Sequence, residues 1–382
     1  MKILMFSTDR KLFEEDSAVL SRLKEQAALV SEIHVIVFTP KGAQFKKFSA
    51  GAQVSVHPTS SISVFTFLPD AYVLGKKILH KAAKKEQWCI STQDPFETGV
   101  IGYLLSRKFH RPLHLQLHTD PFSKEWRMEK FTNRLRYMMM LFLLRQAAGI
   151  RVVSDRVFRS VHALGISAER ITKVPIFVDV EHFLVTKPAF ELHRSYPECT
   201  QIVLSMGRLQ PEKNYRGLIR AFARVAKTHD EAMLLIVGSG PERDRLLMLA
   251  RSLDIEKRVK ILPWARDVVS YYKTCDVYVQ PSLYEGWGLS VVEAMASGAP
   301  IIMTDVGCAG ELVRNNETGL VVPPRDESAL IDALLRMLND EGLRMTLAAN
   351  AQAEVKKLAT KAETLRLYKA SWAKSFAPNS GE

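Results

Sequence analysis

No apolar run in this 382-residue chain approaches the ~18 to 20 residues that a membrane-spanning helix needs, so no transmembrane segment is expected. Cysteine is sparse. Cys89, Cys199, Cys275 and Cys308 are scattered without metal-ligand spacing, which suits a reducing compartment and four inert thiols. No Asp-x-Asp pair is present, so neither an essential divalent metal nor a cofactor is expected. No Gly-x-Gly-x-x-Gly follows the first apolar run, which leaves NAD binding unsupported. There is no tandem repeat, no low-complexity block and no RNA- or DNA-binding motif, so nucleic acid is not an expected partner. Acidic residues are scarce in one half only. Residues 1–180 carry 27 Lys and Arg against 16 Asp and Glu, a net +11, while the remainder carries 26 against 25. A basic half of this kind points to a polyanionic partner, and an anionic membrane surface fits it.

What the chain does have is an ordinary globular composition, 47% hydrophobic, and enough length for two domains of ~180 to 200 residues. The opening Met-Lys-Ile-Leu-Met-Phe turns polar after six residues and is expected to be a first β-strand, not a signal peptide. Short apolar runs alternate with amphipathic stretches throughout. In the first half the strand candidates are 2–6, 34–38, 53–57, 87–92, 113–117 and 149–153. In the second they are 202–205, 233–237, 259–262, 277–280, 301–304 and 320–322. Helices are expected over 17–29, 99–108, 215–228, 242–253, 268–273 and 328–339, with more helix from 343 to 376. Alternation of this kind predicts an α/β fold with parallel sheets covered on both faces. Domains are expected over 1–185 and 201–360. The proline-containing, aperiodic stretch 186–200 would be a linker, and 361–382 a last helix with a loose tail from 377.

Three strand-turn-helix junctions of the second half carry chemistry. Ser205-Met206-Gly207-Arg208 leads through Pro211 to Lys213 and Asn214, so two permanent cations can converge beyond a strand end. Val237-Gly238-Ser239-Gly240-Pro241-Glu242 is a second such turn, although Gly-x-Gly alone often serves the backbone only. Residues 282–293, Ser-Leu-Tyr-Glu-Gly-Trp-Gly-Leu-Ser-Val-Val-Glu, place Glu285 and Glu293 on either side of a Gly turn that opens a helix. Such junctions put backbone N–H groups and a helix N-terminus at the carboxyl edge of a sheet, where phosphates bind. Glu293 lies in an apolar helical run and needs a partner there, which vicinal ribose hydroxyls would supply. Gly307-Cys308-Ala309-Gly310-Glu311 is either a structural turn or another ligand contact on the same edge.

In the first half, His118 follows an apolar strand, and Asp94 ends the strand before it. Asp94 either orients His118 or an acceptor hydroxyl, or shapes a turn. Residues 124–159 carry Lys124, Arg127, Lys130, Arg134, Arg136, Arg145, Arg151, Arg156 and Arg159 around an apolar run at 137–144. That run is either a core helix or a seat at a membrane interface. Residues 72–88, with Lys76, Lys77, Lys81, Lys84 and Lys85, read as a second basic helix.

Gly207-Arg208 with Lys213, the Gly238-x-Gly240-Pro241-Glu242 turn, and Pro281-Ser282 through Glu285 and Glu293 to Ala294-Met295-Ala296-x-Gly298-x-Pro300 resemble the retaining GT-B glycosyltransferases of family four. The resemblance covers the whole second half in order and spacing. It extends more loosely into the first through Leu117-His118-Thr119-Asp120 and through Val174-Pro175, Val178-Asp179 and Phe183. It implies two Rossmann-like domains with parallel sheets facing across a cleft, the first on the acceptor side and the second holding the donor. The last helix, with Tyr368 and Trp372, would return to brace the first domain. The resemblance further implies that Arg208 and Lys213 bind a diphosphate, Glu293 ribose, and Glu285 the donor sugar. Gly207, Gly238, Gly240 and the amides of Gly286, Gly288, Leu289 and Ser290 would line the donor, the loop after Leu262 would hold the base, and His118 would contact the sugar. Acceptor-side candidates are Asp9, Asp94 and Asp120. One departure stands out: the family's Gly-Gly loop after the first strand is replaced here by the glycine-free stretch 7–17.

The expected reaction moves a hexosyl group from a UDP- or GDP-sugar to a glycan or lipid-linked hydroxyl, without an essential metal and with retained configuration. It passes through an oxocarbenium-like transition state. Arg208, Lys213 and helix N-termini would stand where the leaving diphosphate gains charge. No covalent nucleophile is evident, and the family's usual proposal is a front-side substitution assisted by the departing phosphate. The expected setting is surface polysaccharide or glycolipid synthesis, by a cytoplasmic enzyme peripheral to the inner membrane face. Two alternatives remain: a nucleotide-sugar epimerase, which would turn over donor without acceptor, and a non-catalytic basic binding module, which would not need the Glu pair.

Overall fold

The computed structural model describes residues 1–83 and 85–377, so Lys84 of the expected basic helix and residues 378–382 of the expected tail lie outside the described residues. The chain forms two compact units, Met1–Pro175 together with Thr360 onward, and Ile176–Ala359.

Unit 1 is built on strands β1 (Lys2–Ser7), β2 (Glu32–Val37), β3 (Phe48–Ser49), β4 (Val54–Pro58), β5 (Trp88–Thr92), β6 (Leu113–Leu117), β7 (Gly149–Val152) and β8 (Ile171–Lys173). Their order is β3-β4-β2-β1-β5-β6-β7-β8, parallel except for β3. The central strand is buried on both sides, as parallel strands are. Ile3 and Met5 pack in one apolar cluster with Leu20 and Leu23 of the helix Ala18–Ala27. Leu4 and Phe6 point the other way, toward Gly75 of the helix Phe67–His80, where an added Cβ would come within 3.1 Å of the Phe6 ring.

The basic segment 72–88 is not one helix. The helix starts at Phe67 and stops at His80, because the chain must turn to deliver Trp88 into β5, in register with Lys2 of β1. The edge strands β3 and β8 are two and three residues long, too short to show an alternation, and are held by their neighbours.

The helix Lys361–Lys374 belongs to unit 1 and starts with a Thr360/Glu363 capping box. Trp372 is fully buried in the cluster around Ile3 and Met5. Ser371 Oγ is 2.8 Å from His114 Nε2, and Gly149 leaves room for this helix, since a Cβ there would meet Ser375 Oγ at 2.3 Å.

Unit 2 holds β9 (Gln201–Met206), β10 (Ala232–Val237), β11 (Val259–Leu262), β12 (Val277–Gln280), β13 (Ile301–Thr304) and β14 (Leu320–Val322), all parallel, in the order β11-β10-β9-β12-β13-β14. Residues 176–200 group with this unit. Leu192 and Cys199 are buried, and Ser270 and Thr274 accept the backbone N–H groups of Ala189 and Leu192 at 2.7 and 3.3 Å. Those contacts tie the stretch 186–200 to the helix Val268–Thr274 rather than leaving it a free linker. All four cysteines are buried and none is in a disulfide, and burial pushes Cys89 up to about 12. Among the described residues no helix is long and apolar enough to cross a membrane.

Candidate active site

In unit 2 the connections run outward in opposite senses from β9 and β12, so these neighbouring strands flank the point where the strand order reverses. Loops leaving the carboxyl ends of such a strand pair form the crevice in which open α/β sheets bind ligands. The loop after β9 carries Gly207, Arg208 and Lys213, and the turn after β12 carries Glu285, Gly286 and Gly288. Leu283 N–H donates to the Glu212 carbonyl at 2.7 Å and ties the two together.

A polar network fills this junction. Lys213 Nζ lies 2.5 Å from Glu285 Oε1, and both side chains are largely buried, at 14 and 15% exposure. The same Glu285 oxygen accepts from Gln280 Nε2 and Ser282 Oγ, each at 2.8 Å. Gln280 Oε1 in turn accepts from Tyr278 OH at 2.8 Å and Ser290 Oγ at 3.0 Å. Thr304 Oγ1 of β13 donates to the Ser282 carbonyl at 2.5 Å. Glu285 is therefore fixed from three directions, and Ser290 is turned inward as part of its support. Gln280, Ser282 and Thr304 were not among the sequence candidates. The available signal was a polar residue, Gln280, closing an otherwise apolar strand.

Arg208 does not join this cluster. It is 73% exposed and pairs with Glu212 at 3.3 Å, so the two expected cations point to different surroundings. The Gly-x-Gly turn after β10 serves the backbone. A Cβ on Gly238 would lie 1.9 Å from the Gly207 carbonyl oxygen, and one on Gly240 2.4 Å from that of Leu209. Leu262 closes the same stack, its carbonyl accepting from Gly238 N–H at 3.0 Å. Glu242, from the same motif, is buried and clamped by Arg216 at 2.8 Å and Arg245 at 2.9 Å. Gly307 has a comparable reason: a Cβ there would meet the Trp287 carbonyl oxygen at 2.4 Å.

Gly288, at φ +100°, caps the helix Leu289–Ser297, which carries Glu293. The left-handed backbone at this position is why glycine stands there. Glu293 Oε2 accepts from the buried Tyr272 OH at 3.0 Å. Burial pushes its carboxyl up to about 7, against the pull of that hydrogen bond. A carboxylate held this way gains from any further hydrogen-bond donor that approaches it.

In unit 1 the strand order reverses between β1 and β5, and Asp9, Asp94 and His118 follow β1, β5 and β6. Asp94 does not orient His118. Its Oδ1 accepts from Phe96 N–H at 2.8 Å, and burial raises it to about 6. Asp120 accepts from Phe122 N–H at 3.0 Å, with burial again raising its carboxyl. Asp9 is exposed and caps the short helix Arg10–Phe13 that occupies the glycine-free stretch. The neighbour of His118 is Arg151, whose Nη1 is 3.5 Å from Nδ1. A guanidinium only donates, so Nδ1 accepts and the proton sits on Nε2. That Nε2 is buried with no hydrogen-bond partner. Burial first, then the charges of Arg151 and Arg22, hold His118 neutral, down to about 3.

Arg151, one of the cations of the basic stretch 124–159, is fully buried. It donates to the Val174 carbonyl at 2.7 and 3.1 Å and to Gln116 Oε1 at 2.9 Å, and stacks 4.2 Å from the Tyr368 ring. Among the described residues no group of three or more His, Cys, Asp or Glu side chains is arranged to hold a metal ion.

Two family models match the chain: Glycosyl transferases group 1 over residues 193–354 and Glycosyltransferase Family 4 over 22–182. The chain is 25% identical over 328 residues to N-acetyl-alpha-D-glucosaminyl L-malate synthase of Bacillus anthracis, covering 84% of each protein. It is 25% identical over 275 residues to UDP-Gal:alpha-D-GlcNAc-diphosphoundecaprenol alpha-1,3-galactosyltransferase of Escherichia coli, covering 70% of each. Among solved structures, Anabaena HepE in complex with UDP and glucose superposes with TM-score 0.72 at 23% identity, over 96% of this chain and 97% of that one.

Proposed function

Because the chain belongs to the group 1, family 4 glycosyltransferases, retaining enzymes of GT-B fold that move sugar from a nucleotide-sugar donor, we propose that it transfers a hexosyl group from a UDP- or GDP-sugar to a hydroxyl of a glycan or lipid-linked acceptor. The observation that carries the reading is the Lys213–Glu285 network at the β9/β12 reversal, with the raised carboxyl of Glu293 on the helix that follows. In this reading Lys213 meets the donor diphosphate and Arg208 swings in from solvent to join it. Glu293 accepts the ribose hydroxyls. Glu285, locked by Gln280 and Ser282, orients the sugar. His118 of unit 1 keeps a buried Nε2–H without a partner, available to a hydroxyl of a ligand bound to that unit.

As the glycosidic bond breaks, charge grows on the leaving diphosphate, and a pre-positioned Lys213 lowers the barrier by about 2 to 4 kcal/mol, by analogy with an oxyanion donor. Family membership sets aside the epimerase and the binding module. The basic first half supports an acceptor at an anionic membrane, and hence a cytoplasmic, peripheral enzyme of surface-glycan or glycolipid synthesis. The acceptor in the name of the Escherichia coli relative is lipid-linked. The malate in the name of the Bacillus anthracis relative marks the competing class, a small hydroxy acid. The test supplies radiolabelled UDP- and GDP-sugars with a bacterial lipid extract or with soluble hydroxy acids, using Glu293→Ala as control. Label moving into the lipid phase, and not with Glu293→Ala, is the expected result. Label moving only into a soluble acid would replace the acceptor class.

A further inference from the structure

The helix Phe131–Gln146 has two apolar sides. Met140, Leu143 and Leu144 are at most 1% exposed and belong to the unit 1 core. Phe131, Leu135, Met138 and Phe142 recur at steps of four, three and four residues and remain 72, 60, 64 and 50% exposed. That spacing lays four large side chains in one line along the helix. Singly exposed apolar residues are ordinary, but a continuous line of them marks a contact surface. Met128, 60% exposed, lies just ahead of the line. Phe142 meets Tyr103 of the neighbouring helix Glu97–Phe109 edge-on at 5.3 Å, and Leu104 of that helix is also exposed.

The charges on the helix itself are of one sign. From Lys130 to Ser154 the chain contains no carboxylate. Arg136 is turned onto Glu97 at 2.7 Å, and Lys130 is 3.9 Å from Glu129. Arg134 and Arg145 remain exposed on the helix, with Lys124 exposed at the start of the preceding one. On a helical wheel Arg134 and Arg145 border the same edge of the apolar line.

We propose that this face docks on an anionic lipid bilayer, with the helix lying in the headgroup plane. Phe131, Leu135, Met138 and Phe142 enter among the upper acyl chains, and Arg134, Arg145 and Lys124 meet lipid phosphates. A protein partner would present charges of both signs around an apolar patch, whereas a helix whose own charges, Arg134, Arg136 and Arg145, are all cationic complements an extended anionic surface. The proposal rests on the membrane-acceptor reading above and names the surface that serves it.

The experiment is flotation of the full chain with vesicles of phosphatidylcholine alone or with phosphatidylglycerol added. Two variants are compared: the fourfold Phe131→Ser, Leu135→Ser, Met138→Ser, Phe142→Ser, and the pair Arg134→Glu, Arg145→Glu. The wild type is expected to float only with anionic vesicles, and less so as salt rises. Each variant should lose about 100-fold or more in partitioning. Release of nucleoside diphosphate from the donor in solution is expected to stay at the wild-type level in both.

Flotation of the fourfold variant at the wild-type level, or of the wild type with neutral vesicles equally well, overturns the proposal. So does a dimer in sedimentation equilibrium that the fourfold variant dissociates, because the face then belongs to a second copy. Donor turnover by a wild type that does not float refutes the docking and leaves the transferase standing. Flotation without donor turnover does the reverse.

Discussion

Breaking the Lys213–Glu285 pair separates what holds the site together from what does its chemistry. Each side chain is about one-seventh exposed, and they meet at 2.5 Å. Lys213→Met leaves the Glu285 carboxylate with only the neutral donors Gln280 and Ser282, both at 2.8 Å. Removing one partner of a buried pair costs ~3 to 5 kcal/mol, and the two remaining hydrogen bonds place this case near ~3. Glu285→Gln keeps the shape and leaves an ammonium that can partly reach water along its own stem, so ~2 kcal/mol is expected. The double variant removes both charges and should lose only about 2 to 3 kcal/mol, giving a coupling of ~2 to 3 kcal/mol. Because the protein has two units, a single unfolding midpoint is a poor readout. Native-state hydrogen exchange of peptides covering β9 and β12 reports the local value. Turnover should behave differently, falling by at least about 100-fold in all three variants, since the double still lacks the cation that faces the diphosphate. Additive exchange energies would mean the pair carries no coupling. Recovery of turnover in the double variant would remove Lys213 from the chemistry.

Three further outcomes follow from the geometry. Glu293 is raised to about 7, so the folded state binds its proton more tightly than the unfolded one, and wild-type stability should fall as pH rises from about 4.5 through 7. Glu293→Gln removes that slope and should be the more stable protein at pH 8, by up to ~3 kcal/mol in native-state hydrogen exchange of the helix Leu289–Ser297; a pH-independent difference would refute the buried carboxylate. Gly238→Ala drives a methyl to 1.9 Å from the Gly207 carbonyl oxygen, so it should destabilise unit 2 by ~2 kcal/mol or more and weaken donor affinity together with it, measured by exchange and calorimetry. Trp372→Ala empties a fully buried site under the unit 1 sheet and should cost ~3 to 5 kcal/mol, seen as faster exchange in β1 and the last helix with β9 and β12 unaffected.

Much of this architecture is legible in the sequence because parallel strands buried on both faces appear as short apolar runs, and eleven-residue helices such as Tyr215–Val225 show their period. β3 escapes because two residues make no pattern, β8 because Ile171-Thr172-Lys173 offers a single apolar residue, and the stop at His80 escapes because lysines continue past the helix end. The junction residues Gly207, Lys213, Glu285 and Glu293 are legible as strand-turn-helix punctuation. Their partners are not: Gln280, Ser282 and Thr304 come from turns and strands that only the folded sheet brings together. The sequence likewise marks Arg151 as one more cation in a basic stretch. Its burial beside His118 depends on where β7 falls and on Tyr368, more than two hundred residues away.

The most direct test of a donor site built on unit 2 is calorimetric titration of the wild type, Lys213→Ala and Glu293→Ala with UDP-, GDP- and ADP-sugars. The account predicts that one uridine or guanosine donor binds the wild type, that both variants lose most of that affinity, and that wild-type binding strengthens between pH 6 and pH 8 as Glu293 ionises. Binding left unchanged by both variants, or no binding of any donor, would contradict it.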